Sequence, residues 1–184
     1  MTESTTQNQE PKVMNFEVGQ KYTTSEGNEY VVDFISRESG NIDDLFIVYK
    51  KVSGGDGGEV ERYYLKKTTD FKSVDDFDEE IPSLPDNEPE SPKEETEDVS
   101  IGQKYKHFKS GDSYVIKAIA HNPKNPKNKF VIYEGQYDSE EFGHNPIWVR
   151  EYEEFTSMKV FGENELDGSG RPKASVKRFE LITK

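Results

Sequence analysis

The sequence has no cysteine, which excludes disulfides, thiolate metal sites and cysteine nucleophiles. It has one tryptophan and three histidines, so few side chains are available for general acid–base work near neutral pH. Hydrophobic residues make up only 31% of the chain, less than an ordinary globular core uses. No apolar run approaches the length of a membrane span, and the start, MTESTTQNQEPK, lacks the apolar centre of a secretory signal. A cytoplasmic protein that does not bind a membrane is the expectation.

Aromatic residues, by contrast, are abundant, with ten Tyr and eleven Phe. Plentiful rings among few aliphatics point to small aromatic cores joined by polar segments. The net charge of −13 is unevenly spread. Residues 1–71 carry −5, residues 72–100 carry −10 and residues 101–184 carry +2. Residues 72–100 also hold Pro82, Pro85, Pro89 and Pro92. Proline breaks regular structure and like charges extend a chain, so this stretch reads as a disordered acidic linker. Residues 1–15 are polar and aperiodic and read as a disordered tail.

The remainder says one thing twice. VGQKYTTSEGNEYVV at 18–32 returns as IGQKYKHFKSGDSYVI at 101–116. Tyr22 matches Tyr105 at an offset of 83. After one extra residue the offset is 84, and it holds from Tyr30 and Tyr114 through Tyr49 and Tyr133, Tyr64 and Trp148, to Phe71 and Phe155. This is the signature of a tandem repeat, with a first copy over 16–71 and a second over 101–184. Within each copy short alternating runs such as SYVIKAIAH and KFVIYEGQY read as strands. KSGD reads as a turn, with Gly111 free to take positive φ. The fold class is therefore all-β, one small curled sheet or barrel per copy. The first copy has no counterpart of VKRFELI, so its last strand is missing, supplied differently or borrowed. GGDGG at 54–58 lacks the Lys-Ser/Thr ending of a phosphate loop and reads as a hairpin tip.

All three histidines lie in the second copy. His107, His121 and His144 have no metal-ligand spacing, so neither a metal nor any other cofactor is expected. No G-x-S-x-G occurs, and Glu153 and Glu154 are adjacent and would diverge on a strand; an enzyme is not the favoured reading. His107 and His121 fall on adjacent strands of one predicted hairpin, where they would share a face with Trp148 and Arg150. Arg forks onto anionic groups and Trp offers a stacking face. The same residues also suit plain packing, a Trp with an Arg laid over it. HNPKNPKNK at 121–129 reads as a lysine-bearing loop that would suit nucleic acid, although the neighbouring acidic segment opposes that partner.

The second copy resembles a small bacterial and phage domain, domain-of-unknown-function family 1653. The resemblance rests on Gly102, Tyr105, His107, Phe108, Lys109, Gly111, Tyr114, Val115, Ile119, Ala120 and His121. It continues through Tyr133, Trp148, Val149, Arg150, Phe155, Arg178 and Phe179. Ser110, Glu151 and the FGHNP stretch depart from the family pattern, and the first copy has Thr24, Arg37 and Lys66 where the second has His107, His121 and Arg150. The resemblance implies an SH3-like barrel, hence two such barrels in tandem. The expected function is non-catalytic binding, with Tyr105, His107, His121, Trp148 and Arg150 as the ligand-binding set. The partner is a small molecule, a peptide or a protein surface, and a phage-type accessory role that sequesters a host factor or signal suits the family. Nucleic-acid binding and a histidine-based enzyme acting on a nucleotide-like or phosphorylated substrate are the alternatives.

Overall fold

The computed structural model describes residues 14–52, 62–78, 99–162, 165, 167 and 173–183. The hairpin tip at 54–58 and most of the acidic linker lie outside them, as do residues 1–13. The first copy forms β1 (Lys21–Thr23), β2 (Glu29–Glu38), β3 (Asn41–Lys51) and β4 (Tyr63–Lys67), then two 3₁₀ turns at Thr68–Asp70 and Val74–Asp78. The second forms β5 (Lys104–His107), β6 (Ser113–Asn122), β7 (Asn125–Gly135), β8 (Asp138–Ser139), β9 (Gly143–His144) and β10 (Ile147–Glu151). A short helix α1 (Tyr152–Thr156) follows, then β11 (Met158–Lys159), β12 (Val176–Lys177) and β13 (Phe179–Leu181). The chain is mostly β, and no described helix is long and apolar enough to cross a membrane.

The sequence left open whether the copies pack together or exchange strands. They pair edge to edge in one sheet. β4 lies parallel to β6, with Tyr64 opposite His121, and β10 lies parallel to β2, with Trp148 opposite Arg37. With the antiparallel pairs β2–β3, β3–β4, β6–β7 and β7–β10, the hydrogen bonding closes a cycle of six strands. The two seams match under the repeat, because Tyr64 is equivalent to Trp148 and His121 to Arg37.

A bulge in each long strand explains how one strand serves two cores. Pairing of β6 with β7 shifts between Ile116 and Ala118, and β2 with β3 shifts at the equivalent place, between Val32 and Phe34. One extra residue turns every later side chain to the other face. Tyr114 and Ile116 therefore enter the second copy's own core, while Ala118 and Ala120 enter a core shared by both copies. Phe46, Val48, Leu65, Ile132 and Val149 complete the shared core. The long strands thus contribute to a copy's own core on one face and to the shared core on the other.

The linker assignment of 72–100 needs correction at its start. Val74–Asp78 is ordered, and Phe77 is fully buried against Tyr22, Tyr30, Tyr49 and Phe71. Its acids hold the turn in place. Asp76 accepts from the backbone N–H groups of Lys72 (2.6 Å) and Ser73 (2.8 Å), and Asp75 accepts from Ser25 N–H (2.7 Å). In the second copy Phe179 of β13 has the corresponding ring contacts, stacking on Phe155 at 4.1 Å and meeting Tyr114 and Tyr133. Phe77 thus reaches its ring cluster from a 3₁₀ turn, whereas Phe179 reaches its own from a terminal strand. The tail assignment of 1–15 also ends early, since Met14 packs against the same core.

Candidate functional site: a cleft where the copies meet

Two tips bound the site. The first is the β5–β6 turn, where Gly111 has φ 76° and lets the chain reverse within Phe108–Asp112. The second is the β2–β3 turn of the other copy, which brings Ser39 and Ile42 against β10 because β10 runs alongside β2. Between them opens a cleft of about 260 Å³ lined by His107, Ser110, Asp112, Tyr114, Tyr137, Trp148 and Arg150, floored by Tyr133 and Phe179. Its volume is enough for a small ring or a side chain.

His107, Trp148 and Arg150 are brought together as expected. Tyr105 is not at the surface; it is buried in the core, edge-on to Phe155, with its hydroxyl donating to Gln103 Oε1 at 3.0 Å. The expected His107–His121 pair does not form. His107 closes the hairpin, its N–H bonded to Asp112 O at 3.0 Å. His121 lies nine residues farther along β6 than Asp112, about 30 Å of extended strand. There its Nδ1 donates to Pro126 O at 2.8 Å beside the β4–β6 seam. The predicted lysine loop at 121–129 is mostly strand: β6 ends at Asn122 and β7 begins at Asn125, leaving a two-residue turn. His144 sits on the β8–β9 hairpin, exposed and bonded to Asp138. Among the described residues no three His, Asp or Glu side chains gather as a metal site.

Trp148 is buried rather than offered as a stacking face. Its Nε1 donates to the Tyr137 hydroxyl at 3.0 Å, and Phe142 packs edge-on at 5.0 Å. Arg150 lies over Phe179, with its guanidinium carbon 5.8 Å from the ring centre. Its Nη groups bond Glu154 and Ser39, while Nε is buried with no hydrogen-bond partner among the described residues. The equivalent Lys66 is likewise buried over an aromatic ring, 4.8 Å from Phe71, and donates to Asp76 O. A cation above the ring cluster is therefore part of the frame of both copies.

His107 is held with a lowered pKa, first by burial and then by the neighbouring Arg150, so its imidazole is neutral at neutral pH. Its Nδ1 lies 3.3 Å from Ser110 Oγ and 3.5 Å from Ser110 N, so the hairpin turn holds that edge of the ring. Burial raises the Tyr114 hydroxyl in pKa, and the neighbouring Tyr137 acts in the same direction. Ser39, Ser110, Asp112 and Tyr137 were not expected from the sequence. Asp112 alone left a trace there, as the acidic residue opposite Asn28 in the repeat.

Residues 103–181 match the family described as Protein of unknown function (DUF1653). No curated protein and no solved structure matches the chain. The DUF1653 match covers every cleft residue except Ser39 and Ile42. Those two come from the first copy, so the cleft of this chain has a wall from outside the matched segment.

Proposed function

We propose that the protein is a non-catalytic binding module built from a tandem repeat of one small SH3-like unit, and that the second copy holds a small ligand in the His107 cleft. The observation that carries this reading is a contrast between equivalent places. In the first copy the positions equivalent to His107, Asp112 and Tyr114 are Thr24, Asn28 and Tyr30. They surround the chain's own Asp78, whose carboxylate accepts from Asn28 Nδ2 at 2.9 Å and from the Tyr30 hydroxyl at 2.8 Å. Burial tends to raise the Asp78 pKa, but the bonds from Thr24, Tyr30 and Asn28 outweigh it and hold the group below the ordinary carboxylate range. In the second copy the corresponding polar groups face an open cleft. One copy is thus closed on itself and serves as scaffold, while the other remains available to a ligand.

Native mass spectrometry of the gently purified full-length chain tests this. A bound small molecule is expected that is lost in His107→Ala and retained in His121→Ala, whose side chain lies outside the cleft. A species that survives His107→Ala would place binding elsewhere. If no species is carried and no member of a fragment library perturbs the cleft, the reading is wrong.

A further inference from the structure

Tyr137 reaches the cleft by folding back over its own strand. It follows closely on Gly135, the last residue of β7. A Cβ built on Gly135 would lie 2.5 Å from Tyr137 Cε1, 2.9 Å from Cζ and 3.0 Å from Cδ1. Carbon atoms in contact sit about 3.5–4.0 Å apart, so only glycine leaves room for the ring here. Gly135 is buried and is not among the glycines with positive φ. Close approach, rather than backbone conformation, is what asks for glycine at this place. The ring is held at its far end as well. Its hydroxyl accepts from Trp148 Nε1 at 3.0 Å, and the ring meets Tyr114 edge-on at 5.8 Å. The Tyr137 carbonyl accepts from Asn145 N–H at 3.1 Å, and Gly135 N–H donates to Pro146 O at 2.9 Å, so the excursion that carries Tyr137 is tied across its base.

The first copy lacks this arrangement. At the offset of 84, Lys51 stands in the place of Gly135, Ser53 in that of Tyr137 and Tyr64 in that of Trp148. Glycine, ring and indole are thus present together in the copy whose cleft is open, and absent together from the copy closed by Asp78. Lys51 is among the groups that act on Asp78, so this corner of the unit bears on the occupant in the first copy too. We propose that Tyr137 is a ligand-contacting wall of the cleft that receives a flat ring, and that Gly135 and Trp148 are its positioning residues; this deepens the binding reading and rests on it. Tyr114, Tyr133, Trp148 and Phe179 line the same cleft, so an entering ring meets aromatic surface on several sides. Arg150 and Asp112 bring opposite charges to that lining, which makes an uncharged ring the suitable probe.

Trp148 is the only tryptophan, so its indole N–H gives one ¹⁵N resonance in the full-length chain and reports the positioning without a ligand. Gly135→Ala is expected to displace the Tyr137 ring and to speed exchange of that proton with water at least about threefold, as is Tyr137→Phe, which removes the acceptor alone. Circular dichroism checks that the strands remain. An unchanged exchange rate in a folded Gly135→Ala overturns the positioning role. Phenol, titrated onto the full-length chain by saturation-transfer NMR, tests the wall. It is expected to bind wild type, and to bind Tyr137→Ser and Gly135→Ala about three- to tenfold more weakly, the worth of one aromatic pair. Tyr137→Phe keeps the ring and is expected to recover most of what Tyr137→Ser loses. Should Gly135→Ala unfold the chain, Tyr137→Ser and Tyr137→Phe decide the matter. Equal phenol binding by wild type and Tyr137→Ser overturns the proposal, and so does no binding to wild type. If native mass spectrometry then still finds a species lost in His107→Ala, the cleft stands and only the part given to Tyr137 is wrong; if it finds none, both readings fall.

Discussion

Phe77→Ala removes a side chain from the middle of the first copy's core. Phe77 is 0% exposed and meets five rings: Phe16 at 6.2 Å, Tyr22 at 5.2 Å, Tyr30 at 5.4 Å, Tyr49 at 4.8 Å and Phe71 at 4.7 Å. Truncating a buried Phe costs about 3–5 kcal/mol, and aromatic pairs add about 0.5–1.5 kcal/mol each beyond area, so the upper part of that range applies. Tyr30 and Tyr49 are anchored on β2 and β3 within the closed cycle, so collapse into the cavity from that side is expected to be small. A domain of this size has about 5–15 kcal/mol in total, and the variant loses a large share of it. Urea unfolding followed by tyrosine fluorescence and circular dichroism measures the change. A loss below about 1 kcal/mol would refute the reasoning, because it would mean that residues 74–78 are not packed and belong to the linker after all.

Asp78→Ala should destabilise by about 1–3 kcal/mol by leaving the Tyr30 hydroxyl and Asn28 without an acceptor; thermal unfolding would detect it, and no change would deny Asp78 its place in the first copy. The folded pKa of Asp78 is lowered, so its contribution is present above the unfolded value near 4 and is lost as pH falls through the folded one; Asp78→Asn should flatten that acid limb. His107 is also lowered, so the folded state binds its proton later than the unfolded chain does. Stability should therefore fall as pH drops below about 6.5, and His107→Gln should remove that part of the slope. Residues 99–184 alone would expose one side of the shared core and two strand edges, and should self-associate by pairing β6 of one copy with β10 of another; a stable monomer in analytical ultracentrifugation would contradict the role given to the seams.

Much of the strand frame was legible because tyrosines and β-branched residues recur at period two and again at the repeat offset. The pairings Tyr30–Tyr49 and Tyr114–Tyr133 lie where that pattern puts them, edge-on in both copies. The seams were not legible, because the apolar pattern of a strand fixes which face it buries and carries no mark of which neighbour it pairs with. Phe77 was hidden among Asp75, Asp76 and Asp78: a run of acids reads as solvated linker, yet here three of them bind the backbone and side chains of the first copy. His121 was misplaced because sharing a hairpin says nothing of position along it, and β6 runs ten residues. Of the cleft, His107, Trp148 and Arg150 were legible as a polar and aromatic set. Ser39 was not, since it is brought to Arg150 across 111 residues by the parallel pairing of β10 with β2.

The most direct test of the central claim is ¹⁵N chemical-shift mapping on the full-length chain, titrated with whatever ligand or fragment binds. Shifts are predicted at Ser110 and Asp112 from the second copy together with Ser39 and Ile42 from the first. Shifts that leave Ser39 and Ile42 untouched, or that gather around His121, would contradict a cleft assembled by both copies.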